Sequence, residues 1–328
     1  MLEVKQQEWI SFSIYHDQQD MALIHLLPFI LSGKMGSSII KFMFNRSWER
    51  GANLVLMFEI NESADLKEFE HEVQGVIDQY IKMNPSPERV IQMPVNDWFL
   101  PFPANHIEIK NNCAFDIMET GGLKASLLAK SLLSASSKHV FQFIEEAGEV
   151  WGPESAIGAA LQFHMALVSA FKLNLEESEL FYDYFFASIL DKTHGTDVDF
   201  HQNLLKGLAE NFETQKESML GFGEYVLSLF QNVEEIEEEW LKCWFTVCFE
   251  ISGEIEALQR TGEYTVPENF EVNKEIAVNG DVQKKWPVLE YYLRSVNTQL
   301  GVNNVYELNL IYSLKQIFKE LANVKANN

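Results

Sequence analysis

His194 and His201 stand seven residues apart, with Asp191, Asp197 and Asp199 around them. Imidazole and carboxylate groups move protons and bind metals near neutral pH, so this is the chain's nearest approach to a metal or acid–base cluster. The spacing matches neither HExxH nor HxH, and a polar loop accounts for it better. The acidic run Glu234, Glu235, Glu237, Glu238, Glu239 supplies oxygen ligands, but successive helical residues diverge where a hard cation needs convergence. It reads as a solvated helix start, where acidic side chains suit the helix dipole. Residues 33–38 (Gly-Lys-Met-Gly-Ser-Ser) hold glycine and lysine in the wrong order for a phosphate loop and read as a turn. Residues 98–102 (Trp-Phe-Leu-Pro-Phe) offer an aromatic wall of the kind that binds peptides, or a loop laid over a core.

Cys113, Cys243 and Cys248 are the chain's 3 cysteines. An odd count without paired CxxC is neither a disulfide framework nor a zinc site. Cys243 and Cys248, beside Trp240, Trp244 and Phe245, read as core thiols in a reducing compartment.

The elements that must position such groups follow from hydrophobic period. Residues 9–15 alternate apolar and polar and predict a strand; 21–31 predict an apolar helix that Pro28 kinks or ends. Strands at 39–44 and 54–60 flank a hairpin connection containing Gly51 and Asn53. Residues 64–80 place Leu66, Phe69, Val73 and Ile77 on one helical face. Five of the 9 prolines fall within 84–103, which excludes a long helix there, and 106–110 predict one more strand. From there the pattern is helical: 123–146, 153–171, 175–191, 201–211, 220–231, 233–250 extended by 252–258, then 286–300 and 306–324 after a polar loop at 265–281. The expectation is an α+β fold, strand-rich over 1–113 and mostly helical over 114–328, as one intimately packed unit.

The 328 residues carry 25 Lys+Arg against 48 Asp+Glu, a net charge of −23. That excess opposes phosphate neutralisation and anionic lipid surfaces, so neither a nucleic acid nor a membrane is an expected partner. Hydrophobic residues make up 47%, too many for disorder. The amino-terminal residues lack a basic start and an apolar stretch, and no apolar run reaches membrane-spanning length. A bacterial-type cytoplasmic protein is the simplest reading.

Three stretches in order resemble the C-terminal domain of class I lantibiotic dehydratases and the related stand-alone thiopeptide-type biosynthesis proteins. The first is Trp9 to Tyr15 leading to Leu26-Leu27-Pro28, similar to the family's opening strand and helix. The second is Phe42-Met43-Phe44-Asn45-Arg46 followed by Gly51-Ala52-Asn53-Leu54-Val55-Leu56, which resembles the hairpin FFxRY…GxHLRLR. The third is Met118-Glu119-Thr120-Gly121-Gly122 followed by a helix with Ser134 to Ser137, which resembles ERYGG and its helix. The resemblance implies the fold of the dehydratase elimination domain.

It also exposes departures. Eliminating members grip a glutamylated Ser or Thr with arginines, whose geometry suits a carboxylate, and move protons with a histidine in the last helix. Here the hairpin positions are Val55 and Met57, the ERY positions are Met118, Glu119 and Thr120, and the histidine and its following arginine fall at about Ile311 and Gln316. A stand-alone chain so altered resembles the thiopeptide pyridine synthases. What that implies is a formal [4+2] aza-cycloaddition between two dehydroalanines of a leader-bearing, azole-containing precursor peptide, with loss of water and leader. The resemblance further implies Tyr312 as proton donor with Lys315 on the same helical face, and a substrate cavity lined by Trp286, Tyr291 and Tyr292. Arg46, Glu119 and Ser313 complete its substrate-binding set. No cofactor and no metal is implied; upstream dehydratase subunits are possible partners. Two other readings stay open: a glutamate-eliminating enzyme, and a non-catalytic subunit that presents the precursor. An acidic leader would need apolar anchors or a basic strip, of which Lys34, Lys41, Arg46 and Arg50 are the candidates.

Overall fold

A computed structural model describes residues 9–48, 50–88, 102–111, 120–194, 198–267, 270–273 and 278–327. The chain divides into two units, one of residues 1–115 and 133–151, the other of 116–132 and 152–328.

In the first unit, β1 (Trp9–Ile14), β2 (Ile39–Ser47), β3 (Asn53–Ile60) and β4 (Ile107–Asn111) form an antiparallel sheet in the order β2-β3-β1-β4. Alternation sends Phe12, Phe44, Leu54, Leu56 and Phe58 to one face, all 0% exposed. The unit also holds α1 (Gln19–Ser32) and α2 (Leu66–Met83). The helix α1 neither ends nor breaks at Pro28. It continues to Ser32 because Ala22, Leu23, Leu26, Leu27 and Ile30 are buried along it, and that burial outweighs one missing backbone hydrogen bond. The Asp65 carboxylate caps α2 by accepting from the Lys67 and Glu68 amides at 2.9 and 3.2 Å, and the predicted stripe of Phe69, Val73 and Ile77 is buried. The helix α3 (Leu123–Ala147) contributes its residues from 133 onward. Ser134 donates to the Phe42 carbonyl and Ser137 accepts from the Phe44 amide, at 2.9 and 3.1 Å, docking the helix on the β2 edge.

The second unit is helical: α4 (Pro153–Ala170), α5 (Leu175–His194), α6 (Val198–Leu229), α7 (Glu239–Thr261), the single turn α8 (Gly280–Gln283), α9 (Trp286–Leu300) and α10 (Asn304–Asn327). Where two helices were expected at 201–231, α6 runs unbroken. The intervening residues 212–219 are good helix formers, and Phe212 anchors them at 3% exposure. A Cβ on Gly223 would lie 2.7 Å from Ile317, so glycine there lets α6 and α10 approach closely.

Two side-chain expectations change. Cys243 is exposed while Cys248 is buried: five residues turn a helix through about 500°, about 140° from the starting face. The acidic run starts a helix only at its end: Val233–Glu235 form a short turn, Glu238 is the N-cap residue of α7, and Glu239 is the first residue of that helix. Cys113 and residues 98–101 lie outside the described residues, as do Asp197 and the side chains of Asp191, His194 and Asp199. Among the described residues no helix is long and apolar enough to cross a membrane.

Candidate active site

The sheet register places the hairpin positions. Val55, Met57 and Glu59 of β3 lie opposite Ser13, Ser11 and Trp9 of β1, and opposite Asn45, Met43 and Lys41 of β2. Side chains alternate along a strand, so all of these share the face away from Phe12 and Phe58. Glu59 is 1% exposed, and Lys41 lies 3.8 Å from its carboxylate. Arg46 belongs to the other face, where its guanidinium binds Asp20 at the start of α1, with Nε 3.0 Å from Oδ1. The other cations of the expected basic strip are also engaged. Lys34 lies 2.7 and 3.1 Å from Glu68 and Glu72, and Arg50 sits over the Phe102 ring at 4.9 Å. No bare basic strip results.

In the second unit α5 organises three side-chain groups, one for each part of its circumference. Asp183 and Phe186, three residues apart, meet α10. Asp183 pairs with Lys315, and the Phe186 ring meets Tyr312 edge-on at 6.1 Å. Tyr312 and Lys315 thus share a face, as their spacing predicts. Ser313 on the same helix is 2% exposed, and Ile311, at the family's histidine position, is 0% exposed.

Tyr182 faces a buried polar chain. Its hydroxyl lies 3.3 Å from His164 Nδ1 on α4, His164 Nε2 lies 2.8 Å from Asn297 Oδ1 on α9, and Asn297 Nδ2 donates to Glu307 of α10 at 3.1 Å. The Asn297 amide, fixed by Glu307, leaves its oxygen to accept from Nε2–H. Nδ1 then accepts from Tyr182, which makes His164 the neutral Nε2–H tautomer. Burial pushes its pKa down to about 4, only partly offset by Asn297.

Tyr184 and Ser188, four residues apart, face α9. Trp286, Glu290 and Arg294 stand there at the same four-residue interval. Ser188 donates to Glu290 at 2.7 Å, and Arg294 lies 3.9 Å from both Glu290 and Glu307. Burial, then the Glu290 charge, raises the Tyr184 phenol well above its ordinary value. The Tyr184 ring rests on Trp286 at 5.4 Å and meets Phe270 edge-on at 5.8 Å.

Next to this group lies the Gly-Gly motif. Gly121 has φ +97°, and a Cβ there would come within 2.3 Å of the Tyr264 ring. The Gly121 carbonyl accepts from the Thr265 amide at 2.8 Å, while the Tyr264 hydroxyl donates to the Lys284 carbonyl at 3.1 Å. Tyr292 is 0% exposed and its hydroxyl has no hydrogen-bond partner among the described residues; it lies within electrostatic reach of Tyr264, Tyr291 and Cys248. Trp286, at 2% exposure, likewise buries its indole N–H without a partner among the described residues. Glu119 lies outside the described residues.

The expected site residues therefore fall into two sets. Tyr312 and Lys315 meet one face of α5, and Trp286 the nearly opposite one. Two features were missed in the sequence: the His164–Asn297 chain and the Ser188–Glu290 contact. The first left no local signal. For the second the i, i+4 spacing on each helix was present, but nothing said that the two helices face each other. Among the described residues no three His, Cys, Asp or Glu side chains converge as a metal site.

The chain matches the family model described as lantibiotic biosynthesis dehydratase C-term over residues 9–318. It is similar in structure to TbtD, the pyridine synthase from thiomuracin biosynthesis (13% identity, TM-score 0.70, 97% of this chain and 99% of that one). It is also similar to TsrL (12% identity, TM-score 0.64, 96% and 95%). A third likeness is to the tRNA-dependent lantibiotic dehydratase MibB from Microbispora sp. 107891 (11% identity, TM-score 0.56), of which 97% of this chain covers 28%. None of the curated proteins matches its sequence.

Proposed function

The chain belongs to the lantibiotic dehydratase C-terminal family, and we propose that within it this protein is a pyridine synthase of thiopeptide type. Its substrate is a leader-bearing precursor peptide that already carries azoles and dehydroalanines, met in the bacterial cytoplasm after a dehydratase has acted. The reaction is the formal [4+2] aza-cycloaddition of two dehydroalanines, followed by loss of water and leader, without a cofactor.

One observation carries this reading. The positions at which eliminating members keep arginines and a histidine hold Val55, Met57 and the core residue Ile311. A glutamyl carboxylate would meet no guanidinium at the hairpin positions. A cycloaddition asks for little acid–base power and much positioning, since the main barrier is the entropy of bringing two distant dehydroalanines together. An aromatic, half-buried surface built on rigid helices suits that task. The similarity to TbtD over nearly the whole of both chains supports the same reading, and the similarity to MibB keeps glutamate elimination as its competitor.

Mass spectrometry of a dehydrated, azole-containing leader peptide incubated with the pure protein tests the proposal. The expected product is a macrocycle lighter by water and the leader, with free leader alongside. Conversion of a glutamylated peptide to the dehydroamino acid would replace the cyclase with an eliminating enzyme. Tight binding with no change of mass would leave a presenting subunit.

A further inference from the structure

We propose that the turn between β2 and β3 is a docking point for an acidic segment of the peptide substrate, whose carboxylate Arg50 grips beside the exposed ring of Trp48. The assignment rests on the reading that the substrate is a leader-bearing peptide. Of the cations in the expected basic strip, Arg46 binds Asp20, Lys34 binds Glu68 and Glu72, and Lys41 lies 3.8 Å from Glu59. Arg50 differs from all three. Among the described residues its guanidinium makes no hydrogen bond and meets no carboxylate.

Its contact is an aromatic ring, with the guanidinium carbon 4.9 Å from the Phe102 centroid. Stacking takes a face of the guanidinium and leaves its N–H edge, the part whose geometry fits a carboxylate. The stack is fixed from behind. Phe102 lies on His106 at 4.5 Å with the ring planes 17° apart, and it meets the buried Tyr15 ring at 4.9 Å. The Phe102 amide also donates to the Arg50 carbonyl at 2.9 Å, so one residue holds both the backbone and the side chain of Arg50. A donor fork ordered before binding loses less freedom on binding.

The backbone supplies an independent sign. Arg50 has φ +55°, in the left-handed region that glycine and asparagine enter more readily. The turn itself therefore does not call for an arginine. Trp48 closes the same turn, its carbonyl accepting from the Gly51 amide at 3.1 Å, and it is 61% exposed. Arginine and tryptophan are enriched among the side chains that carry interface energy. Two residues apart on one turn, they suit a peptide segment with an acidic and an apolar side chain close together.

At a net charge of −23 the chain repels an acidic peptide at long range. Removing the peptide's carboxylates should therefore strengthen binding unless a cation grips one of them. Two fluorescently labelled leader peptides are the probes, one with its Asp and Glu residues, the other with Asn and Gln in their places. The full chain should bind the acidic peptide about tenfold more tightly than the amide peptide. Arg50→Asn should raise Kd for the acidic peptide about tenfold and leave the amide peptide unchanged. It should also keep the urea midpoint, because asparagine accepts the turn. Trp48→Ala should weaken binding of both peptides. Equal or tighter binding of the amide peptide by wild type overturns the docking assignment, and so does undiminished binding of the acidic peptide by Arg50→Asn. A urea midpoint that falls in step with affinity overturns it too, because Arg50 would then be structural. None of these results touches the cyclase reading, which the mass of the product decides. Arg50-dependent binding without turnover by wild type keeps the docking point and removes the cyclase reading.

Discussion

On one face of α5, Asp183 holds Lys315 in a pair whose members are 58% and 25% exposed. Elsewhere on the same helix, Tyr182 opens a chain through His164 and Asn297 to Glu307, all of it 7% exposed or less. The same chemical groups obey different energetics in the two places. Near water, attraction is screened and two long side chains must be ordered to gain it, so an ion pair nets little. In the core, each polar atom has already lost its hydration, so a missing partner costs more than a partner present contributes. Depth, more than charge, decides which contacts hold α4, α5, α9 and α10 together.

The sharpest way to break this comparison is to empty the middle of the buried chain. Asn297→Ala removes both the acceptor of His164 Nε2–H and the donor to Glu307. With about 1–3 kcal/mol for each orphaned buried group, the variant should lose about 3 kcal/mol in urea unfolding. A loss below about 1 kcal/mol would show that the buried chain is no stronger than a surface contact. The next effect is a pH dependence. His164 has a folded pKa of about 4 against about 6.5 unfolded, so between these values the unfolded chain binds the extra proton. Its contribution is complete above about pH 6.5 and is lost as pH falls toward 4. Between pH 7 and 5 this removes about 2 kcal/mol. Unfolding curves at several pH values should show it, and His164→Gln should flatten the dependence. The smallest effect belongs to the exposed face: Asp183→Asn should change stability by less than about 1 kcal/mol. A larger loss would mean that the Lys315 pair is structurally central and the contrast between the faces is false.

Much of the fold was legible because its signals are local. The stripe Phe69, Val73, Ile77 needs only a helical period, and the hairpin between β2 and β3 needs only two apolar runs and a Gly51–Asn53 turn. The unbroken α6 was not legible, because residues 212–219 are mostly polar and only Phe212, buried by tertiary contacts, ties them into the packing. Cys243 was misplaced by proximity to tryptophans, although its distance of five from Cys248 already turns it away from the buried face. The site was harder. The candidates Trp286, Tyr291 and Tyr292 were visible as aromatics on one helix, but Tyr184 and Ser188, which meet Trp286 and Glu290, sit about a hundred residues earlier. His164 and Asn297 are 133 residues apart in the chain. Such pairs are created by helix packing, and a single sequence carries no record of which helices become neighbours.

The order β2-β3-β1-β4 has a consequence for how the chain is made. Among the described strands β1 is made first yet occupies an inner position, and its last partner is the strand at Ile107–Asn111, with Ile10 opposite Asn111. During synthesis β1 can pair with β3 once residue 60 is out, but its other edge stays bare for about fifty more residues. An unpaired apolar edge invites other chains. The nascent chain therefore passes through a window in which it is most exposed to misassembly, and that window closes only when the short β4 arrives.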